Sequence, residues 1–522
     1  MISFYNIFTV AKIEVRTLLR SWFFRIFSGI AIIFLGFWDF ASLSKVTHSP
    51  WAFRGISSTI PYISIMFLNS VQAVIAVFLA SDFLKRDKKL DTTEVVYMRS
   101  MTNGDYVLGK TFGILFVFLI LNVMVLALSL IMQLILAEVP VAWMAYLIYP
   151  LVISLPTLVF ILGLSFFLMV LIRNQAVTFI VILGYIATTL FFLAGRFNAL
   201  FDYMAYNVPL MYSSITGFSD TSTLLLHRGI YFVLGMSLIS FTIILLKRLP
   251  QSRAMTGLSR ISAFVLLALA AVMMVAYTGN IRSGVKFRRE MVSLGNELSE
   301  QPVTTPVSCD IDIVHDGSRI SAEASLKVIN DTPSSIDRVI LRLNPGLEVE
   351  QVLSGEVALR FEREKHILYV NPAETIDPGE TLSFSVSYSG TIDEDACYPD
   401  ILEKDRMAAL RLENAGMVNI GKRYSFVSKD YILLTPETLW YPAAGPGYSS
   451  EHPENHRRDF IDFSLDVTTT PDLKAVSQGY AEKTGEGKYR FKPESLLPSL
   501  TLSIGDFEYR SIEVDSVEYG LY

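Results

Sequence analysis

Seven lipid-length apolar runs crowd the first 280 residues of this chain, and none follows them. They fall at 22–43, 59–83, 111–137, 142–172, 175–195, 229–246 and 261–278. Most reach the roughly 20 residues that a helix needs to cross a hydrocarbon core. Beyond them the sequence changes to short alternating segments rich in Val, Ile, Leu, Thr and Ser, broken by Gly, Pro, Asn and Asp, as in an all-β domain. The pattern predicts a polytopic α-helical membrane domain of about seven spans, 1–280, set in a lipid bilayer. A charged helical stalk follows at 281–302, and then an all-β domain, 303–522, folded as a β-sandwich or a large twisted sheet.

Charge decides sidedness. Lys12, Arg16 and Arg20 precede the first span; Lys85, Arg86, Lys88, Lys89, Arg99 and Lys110 follow the second. Arg173 follows the fourth, and Lys247, Arg248, Arg253 and Arg260 lie between the sixth and seventh. The positive-inside rule then sets the N-terminus in the cytoplasm and, through the odd span count, the β-rich half outside, in the periplasm of an inner-membrane protein. Arg282, Lys286, Arg288 and Arg289 oppose this, but a long folded domain translocates largely regardless of such charges. The first segment, with Lys12, Glu14 and Arg16, reads as an interfacial amphipathic helix before an uncleaved span. The polar stretch 196–228, with Phe197, Phe201, Tyr203, Tyr206, Tyr212 and Phe218, reads as resting on the outer interface. The net charge of −6 belongs mostly to the second half and gives no reason to expect nucleic acid.

Several motifs are weaker than they look. Gly104 to Thr111 fits G-x-x-x-x-G-K-[ST], yet a phosphate loop needs a strand before it and a soluble helix after it, and here a membrane span follows. A loop and helix end with an interfacial Lys110 is the expectation. His452-Pro453-Glu454-Asn455-His456 has the histidine spacing of a zinc peptidase but misplaces the Glu and inserts a Pro, which reads as a turn. His315 and His366 have no evident nucleophile partner. Asp39 and Asp82 lie near span ends, where interfacial exposure is expected, and Gln72, Asn122 and Gln133 read as helix-to-helix hydrogen-bonding groups. Cys309 and Cys397 allow either a disulfide or two buried thiols.

Two resemblances cover the two halves. The amphipathic first helix and the charged segment KRDKKLDTTEVVYMRSMTNGDYVLGK before the third span resemble the permease of a type-2 ABC exporter. In that family a similar segment, ending in Gly-Lys at the start of a span, lies near the surface that docks the ATPase. The resemblance implies a homo- or heterodimeric transmembrane domain driven by a separate cytoplasmic ABC ATPase subunit. It places Glu94, Tyr97, Arg99, Asp105 and Lys110 in the coupling segment. The family usually has six spans, so the seventh is a departure that serves to export the outer domain.

The phrases CDIDIVHDGSRISAEASLKVINDTPSSIDRVILRLNPGLEVEQV, LLTPETLWYPAAGPGY, DFIDFSLDVTTTPDLKAVSQG and SLTLSIGDFEYRSIEV resemble, in order and spacing, the N-terminal β-domain of the aminopeptidase N-like zinc metallopeptidases, the gluzincins. In that family a thermolysin-like domain with the zinc motif follows. This sequence ends at Tyr522, so the metal-binding set and the catalytic Glu have no positions here. The resemblance therefore implies no catalytic residue and no metal ligand in this chain, zinc entering only with a catalytic domain supplied elsewhere. It also implies a peptide ligand, whose amino terminus a family acidic or Gln side chain helps to hold; Glu437 is the nearest match, a structural Glu on a loop being the other reading. The combined expectation is a membrane subunit of an ABC-type transport system carrying a peptidase-derived β-domain, without peptidase activity of its own. A membrane-anchored aminopeptidase whose catalytic domain is absent from this chain is the alternative, and a non-catalytic sensor or binding module a third.

Overall fold

The computed structural model describes residues 4–44, 55–81, 101–137, 139–193, 196–208, 210–213, 217–218, 220–246, 253–401, 426–455 and 458–522. Among them two compact units are distinct, one ending at Ile281 and the other beginning at Arg282.

The first unit is helical: α1 (Phe4–Arg20), α2 (Trp22–Leu43), α3 (Thr59–Ser81), α4 (Asn103–Leu136), α5 (Trp143–Ile172), α6 (Gln175–Leu193), α7 (Thr221–Leu245) and the first part of α8 (Arg253–Leu298). The seven helices α2 to α8 are long and apolar enough to cross a membrane. Three start about two turns before the apolar runs. A Thr102–Asp105 capping box satisfies the first N–H groups of α4, and the Asp220 carboxylate accepts from Thr223 N at the start of α7. With those donors satisfied, polar first turns that hydropathy assigns to loops are helical.

Two consequences correct the sequence reading. The string from Gly104 to Thr111 lies inside α4 rather than in a loop, and Lys110 is buried rather than interfacial. Arg228 and the residues from Thr221 onward belong to α7, and Tyr203 is fully buried rather than resting on an interface.

Helix α5 is interrupted by a π-helical turn, Pro150–Ser154. Pro156 has no N–H to give to the Val152 carbonyl four residues back, which loosens the ladder at that turn. Where α5 crosses α7 the backbones touch. A Cβ on Gly163 would lie 2.4 Å from the Gly235 carbonyl oxygen, and one on Gly235 would lie 2.6 Å from that of Val159. Small residues allow this approach, which gains dispersion contact between helices that share apolar surroundings. Leu35, Leu68, Phe118, Leu158, Phe166 and Ile239 fill the interior, while Ile33, Phe116, Leu171, Ile180 and Val265 are exposed. Side chains are thus apolar both inside and outside the bundle.

The second unit is β-rich. An eight-stranded sheet runs in the order Tyr480–Gly485, Lys488–Lys492, Asp462–Thr468, Thr305–Asp316, Arg319–Ile329, Thr381–Gly390, Leu347–Ser354 and Val357–Ala358. Its Thr305–Asp316 and Asp462–Thr468 strands are parallel, with Ile311 opposite Leu465. Thr305–Asp316 and Arg319–Ile329 alternate exposed and buried side chains, as one covered face requires. Two four-stranded sheets, containing Val339–Arg342 and Leu502–Gly505 respectively, share the same core, in which Trp440, Tyr388, Phe463 and Phe491 are fully buried. Each buried Leu, Ile or Phe there contributes about 1.5–3 kcal/mol. The unit is a large mixed sheet with two small ones on its core, rather than a simple sandwich. Among the described residues eighteen strands occur against the eight to eleven expected, because several have only two to five residues and leave no alternation to read.

The last turns of α8, read from sequence as a stalk, pack within this unit. Leu294 and Leu298 meet Ile340, Ile367 and Tyr369. Arg288 donates to Asp395 at 2.9 Å, and Lys286 and Lys365 both pair with Glu290. Cys309 and Cys397 are free and buried, so the disulfide is not formed; burial raises the Cys309 thiol well above its usual range.

His366 makes the stability of this unit pH-dependent. Its Nε2–H donates to the Pro446 carbonyl at 3.2 Å, and its Nδ1 is buried without a partner. Burial lowers its pKa from 6.5 to about 4, with Arg342, Arg363 and Lys365 adding to the effect and the Pro446 bond opposing it. Between these values the unfolded chain takes up a proton that the folded chain does not. The contribution is therefore complete above pH 6.5 and is lost as the pH falls toward 4, by up to about 3 kcal/mol. His366→Gln should flatten the acid side of the urea-stability profile, read by pulse labelling of Cys309 and Cys397. An unchanged slope would remove His366 as the source.

Candidate functional site

Polar groups form several hydrogen-bonded clusters in the interior of the helical unit. Asp39 of α2 accepts from Ser64 of α3 at 2.9 Å and from Ser129 of α4 at 2.5 Å. Asp39 is thus buried and paired, not exposed at an interface as its place in the sequence suggests; Asp82 lies outside the described residues. Further along, Gln72 donates to Asn69, Asn122 to Gln72 and Ser154 to Asn122, at 3.2, 2.9 and 2.6 Å. Asn69 donates to Thr157 at 3.2 Å. Gln72 and Asn122 therefore do join helices, and Gln133 joins α4 to Tyr146 and the Ser57 carbonyl.

Arg228 is the hub of this interior. Its Nε donates to the Val152 carbonyl at 2.8 Å, an acceptor to which Pro156, four residues on, has no N–H to give. Its Nη2 donates to Ile153 O at 2.9 Å and Thr157 Oγ1 at 2.8 Å, and its Nη1 to Tyr203 O at 2.9 Å. The π turn of α5 thus presents carbonyls, and a planar guanidinium with five donors fits them where an ammonium would not. Helices α7 and α8 together brace a left-handed turn: Phe197, Asn198 and Ala199 have φ of 53, 55 and 59°. Left-handed backbone costs residues such as Phe197 and Ala199 roughly 1–2 kcal/mol each, whereas Asn adopts it more readily. Side chains hold it in place, since Tyr277 donates to Asn198 O, His227 Nε2–H to Ala199 O and Tyr231 to Leu200 O. His227 Nδ1 and Tyr203 Oη stay buried without a partner, while the remaining bonds tie α3, α4, α5 and α7 to one another.

The contact of α1 with α4 is the second feature. Gly109 and Gly113 form a small-x-x-x-small pair one turn apart, and Cβ atoms there would lie 2.6 Å from Val10 Cβ and 2.7 Å from Glu14 Cβ. Between them Lys110 reaches Glu14 at 3.4 Å, both side chains about 5% exposed or less, and lies over the Tyr106 ring. Asp105 closes the capping box and is buried as well. Of the coupling residues inferred from sequence, Lys110 therefore ties α1 to the start of α4, and Asp105 caps the first turn of α4. Glu94, Tyr97 and Arg99 lie outside the described residues.

In the β-rich unit Glu437 is exposed on a single 3-10 turn, Pro436–Thr438. His452 precedes another such turn, pairs with Glu454 at 3.3 Å and lies 3.8 Å from Glu300; His456 is outside the described residues. His315 is bonded to Thr469 and to the carbonyls of Gly317 and Ser428. A cleft lined by Gln301, Arg342, Ser449, His452, Asn455 and Asp459 was not legible in the sequence. Arg342 donates to the Ala444 carbonyl there at 2.6 Å, and burial lowers its pKa against the pull of Tyr441 and Asp459. Among the described residues no group of three His, Cys, Asp or Glu is placed to hold a metal ion.

No family model and no curated protein matches this chain. Among solved structures, an M1 zinc metallopeptidase mutant from Deinococcus radiodurans bound to a Tyr-Ser-Ala substrate is 17% identical, with a TM-score of 0.31. The match covers 42% of this chain and 47% of that one. The M1 zinc metallopeptidase from Deinococcus radiodurans is 16% identical over 41% of this chain and 44% of its own, with a TM-score of 0.30. This chain thus spans just under half the length of those structures.

Proposed function

We propose that the chain is a multi-spanning inner-membrane protein of transporter type. Its helical unit works with a cytoplasmic ATPase subunit as part of a homo- or heterodimer, and its β-rich unit lies on the periplasmic side. The observation that carries this reading is the lock of α1 onto the first turns of α4. An amphipathic helix joined to the start of a span by a buried ion pair and two glycine contacts moves with that span as one body. Force applied by a partner at residues 85–102 would then reach the bundle through α4, whose interior is tied by hydrogen bonds to α3 and α5. In this proposal Glu94, Tyr97 and Arg99 meet the partner, while Asp105 and Lys110 position the helix that they lead into. The full chain, extracted in mild detergent, should co-purify a P-loop ATPase, and Arg99→Glu should lower its yield severalfold. Full-length protein that never carries an ATPase would contradict the reading.

For the β-rich unit we propose binding of a peptide without catalysis, at the Glu437 turn or the Arg342 cleft. Zinc does not fit the donor sets of the described residues, so no hydrolytic step is assigned to it.

A further inference from the structure

Helix α1 has three sides. Val10 and Glu14 meet α4 and Leu18 is fully buried; a second side exposes Phe4, Phe8 and Leu19. The third carries Lys12, Arg16 and Arg20, all exposed. Their four-residue spacing stacks them in one row, where like charges weaken an isolated helix. No ion pair joins any of the three to an acidic side chain among the described residues, and the acid of this helix, Glu14, is committed to Lys110. Among the described residues no acidic side chain offsets the repulsion within the row.

The surroundings point to the partner. Beside the row, Phe4 is 85% and Phe8 70% exposed, so cations and bare aromatic rings share one surface. Trp22, 75% exposed at the first position of α2, has the Arg25 guanidinium 5.9 Å from its ring, the placement of a residue at a membrane–water boundary. A hydrated protein face would cover the charges and leave the rings wet. A leaflet of acidic phospholipid covers both, with acyl chains on the rings and phosphates on the cations. We propose that Lys12, Arg16 and Arg20 form a binding row for acidic phospholipid headgroups, which holds α1 in the plane of the leaflet. This rests on the membrane reading above.

Spin-labelled lipids test it on the full chain reconstituted in phosphatidylcholine vesicles. Immobilised label at the protein surface should show selection of phosphatidylglycerol over phosphatidylcholine. K12Q/R16Q/R20Q should lower phosphatidylglycerol association at this site by about fivefold per charge and leave phosphatidylcholine unchanged. Lys12→Arg should keep it, and salt should weaken it as the screening length falls below about 10 Å. Equal association of both lipids, or selection unaltered in the triple variant, overturns the proposal while an immobilised lipid shell leaves the membrane reading standing. No immobilised shell at all overturns the membrane reading itself. A triple variant that keeps its lipid selection but loses a cytoplasmic protein partner assigns the row to protein and also overturns the proposal.

Discussion

Arg228→Met is expected to destabilise the helical unit by about 3 kcal/mol or more, since each buried acceptor left without a donor costs about 1–3 kcal/mol. Four acceptors are involved: the carbonyls of Val152, Ile153 and Tyr203, and Thr157 Oγ1. The single Thr157 hydroxyl hydrogen lies within reach of Ile153 O and Tyr203 O and can serve one of them when the guanidinium is gone. Val152 O has no such side-chain substitute among the described residues, and Pro156, four residues on, has no N–H to offer it. Arg228→Lys should rescue little, since one ammonium cannot reach acceptors spread across the guanidinium plane. Unfolding of the detergent-solubilised chain by a denaturing detergent, followed by circular dichroism, measures the effect. A wild-type midpoint for Arg228→Met would show that the hub carries no load.

The second large effect is expected at the α1–α4 contact. Glu14→Leu leaves Lys110 buried without its counter-charge, which costs about 3–5 kcal/mol in such settings. The double variant Glu14→Leu/Lys110→Met replaces the pair with apolar groups of similar size and should recover most of the loss. That contrast separates an ion-pair effect from a packing effect. If the double variant is as unstable as the single one, the glycine contacts rather than the charges fasten α1.

Periodicity and length carried the coarse division of the chain. Apolar runs of span length mark α2 to α8, and alternation marks strands such as Arg319–Ile329, because burial on one face imposes it directly. What could not be read was set by partners distant in sequence. Arg228 looks like a loop cation because hydropathy averages it with Thr221, Ser222 and Thr223, and its acceptors lie some 75 residues away in α5. Pro156 within an apolar run was the available signal, since it removes the α-helical bond to the carbonyl four residues earlier. The letters Gly109-Lys110-Thr111 drew attention as a phosphate-loop pattern, while the relevant pattern was Gly109 and Gly113 framing a buried lysine. The cleft around Arg342 joins side chains from 301 to 459, which no local pattern connects. Glu94, Tyr97 and Arg99 rest on resemblance alone.

Two of the four basic residues after the last apolar run have a local explanation. Arg288 is committed to Asp395 and Lys286 to Glu290, so these cations serve the folding of the β-rich unit. Their presence need not oppose export of that unit, since long folded domains cross largely regardless of flanking charge.

Sidedness is the claim on which the transport and lipid proposals both depend, and buried native thiols allow it to be measured with single added cysteines. Cys309 and Cys397 are each 1% exposed and should stay silent to an impermeant maleimide, while Lys12 and Glu356 are exposed. In intact spheroplasts Glu356→Cys should label fully and Lys12→Cys should label only after the membrane is permeabilised. Labelling of both before permeabilisation, or of neither, would place α1 and the β-rich unit on the same side and contradict the account.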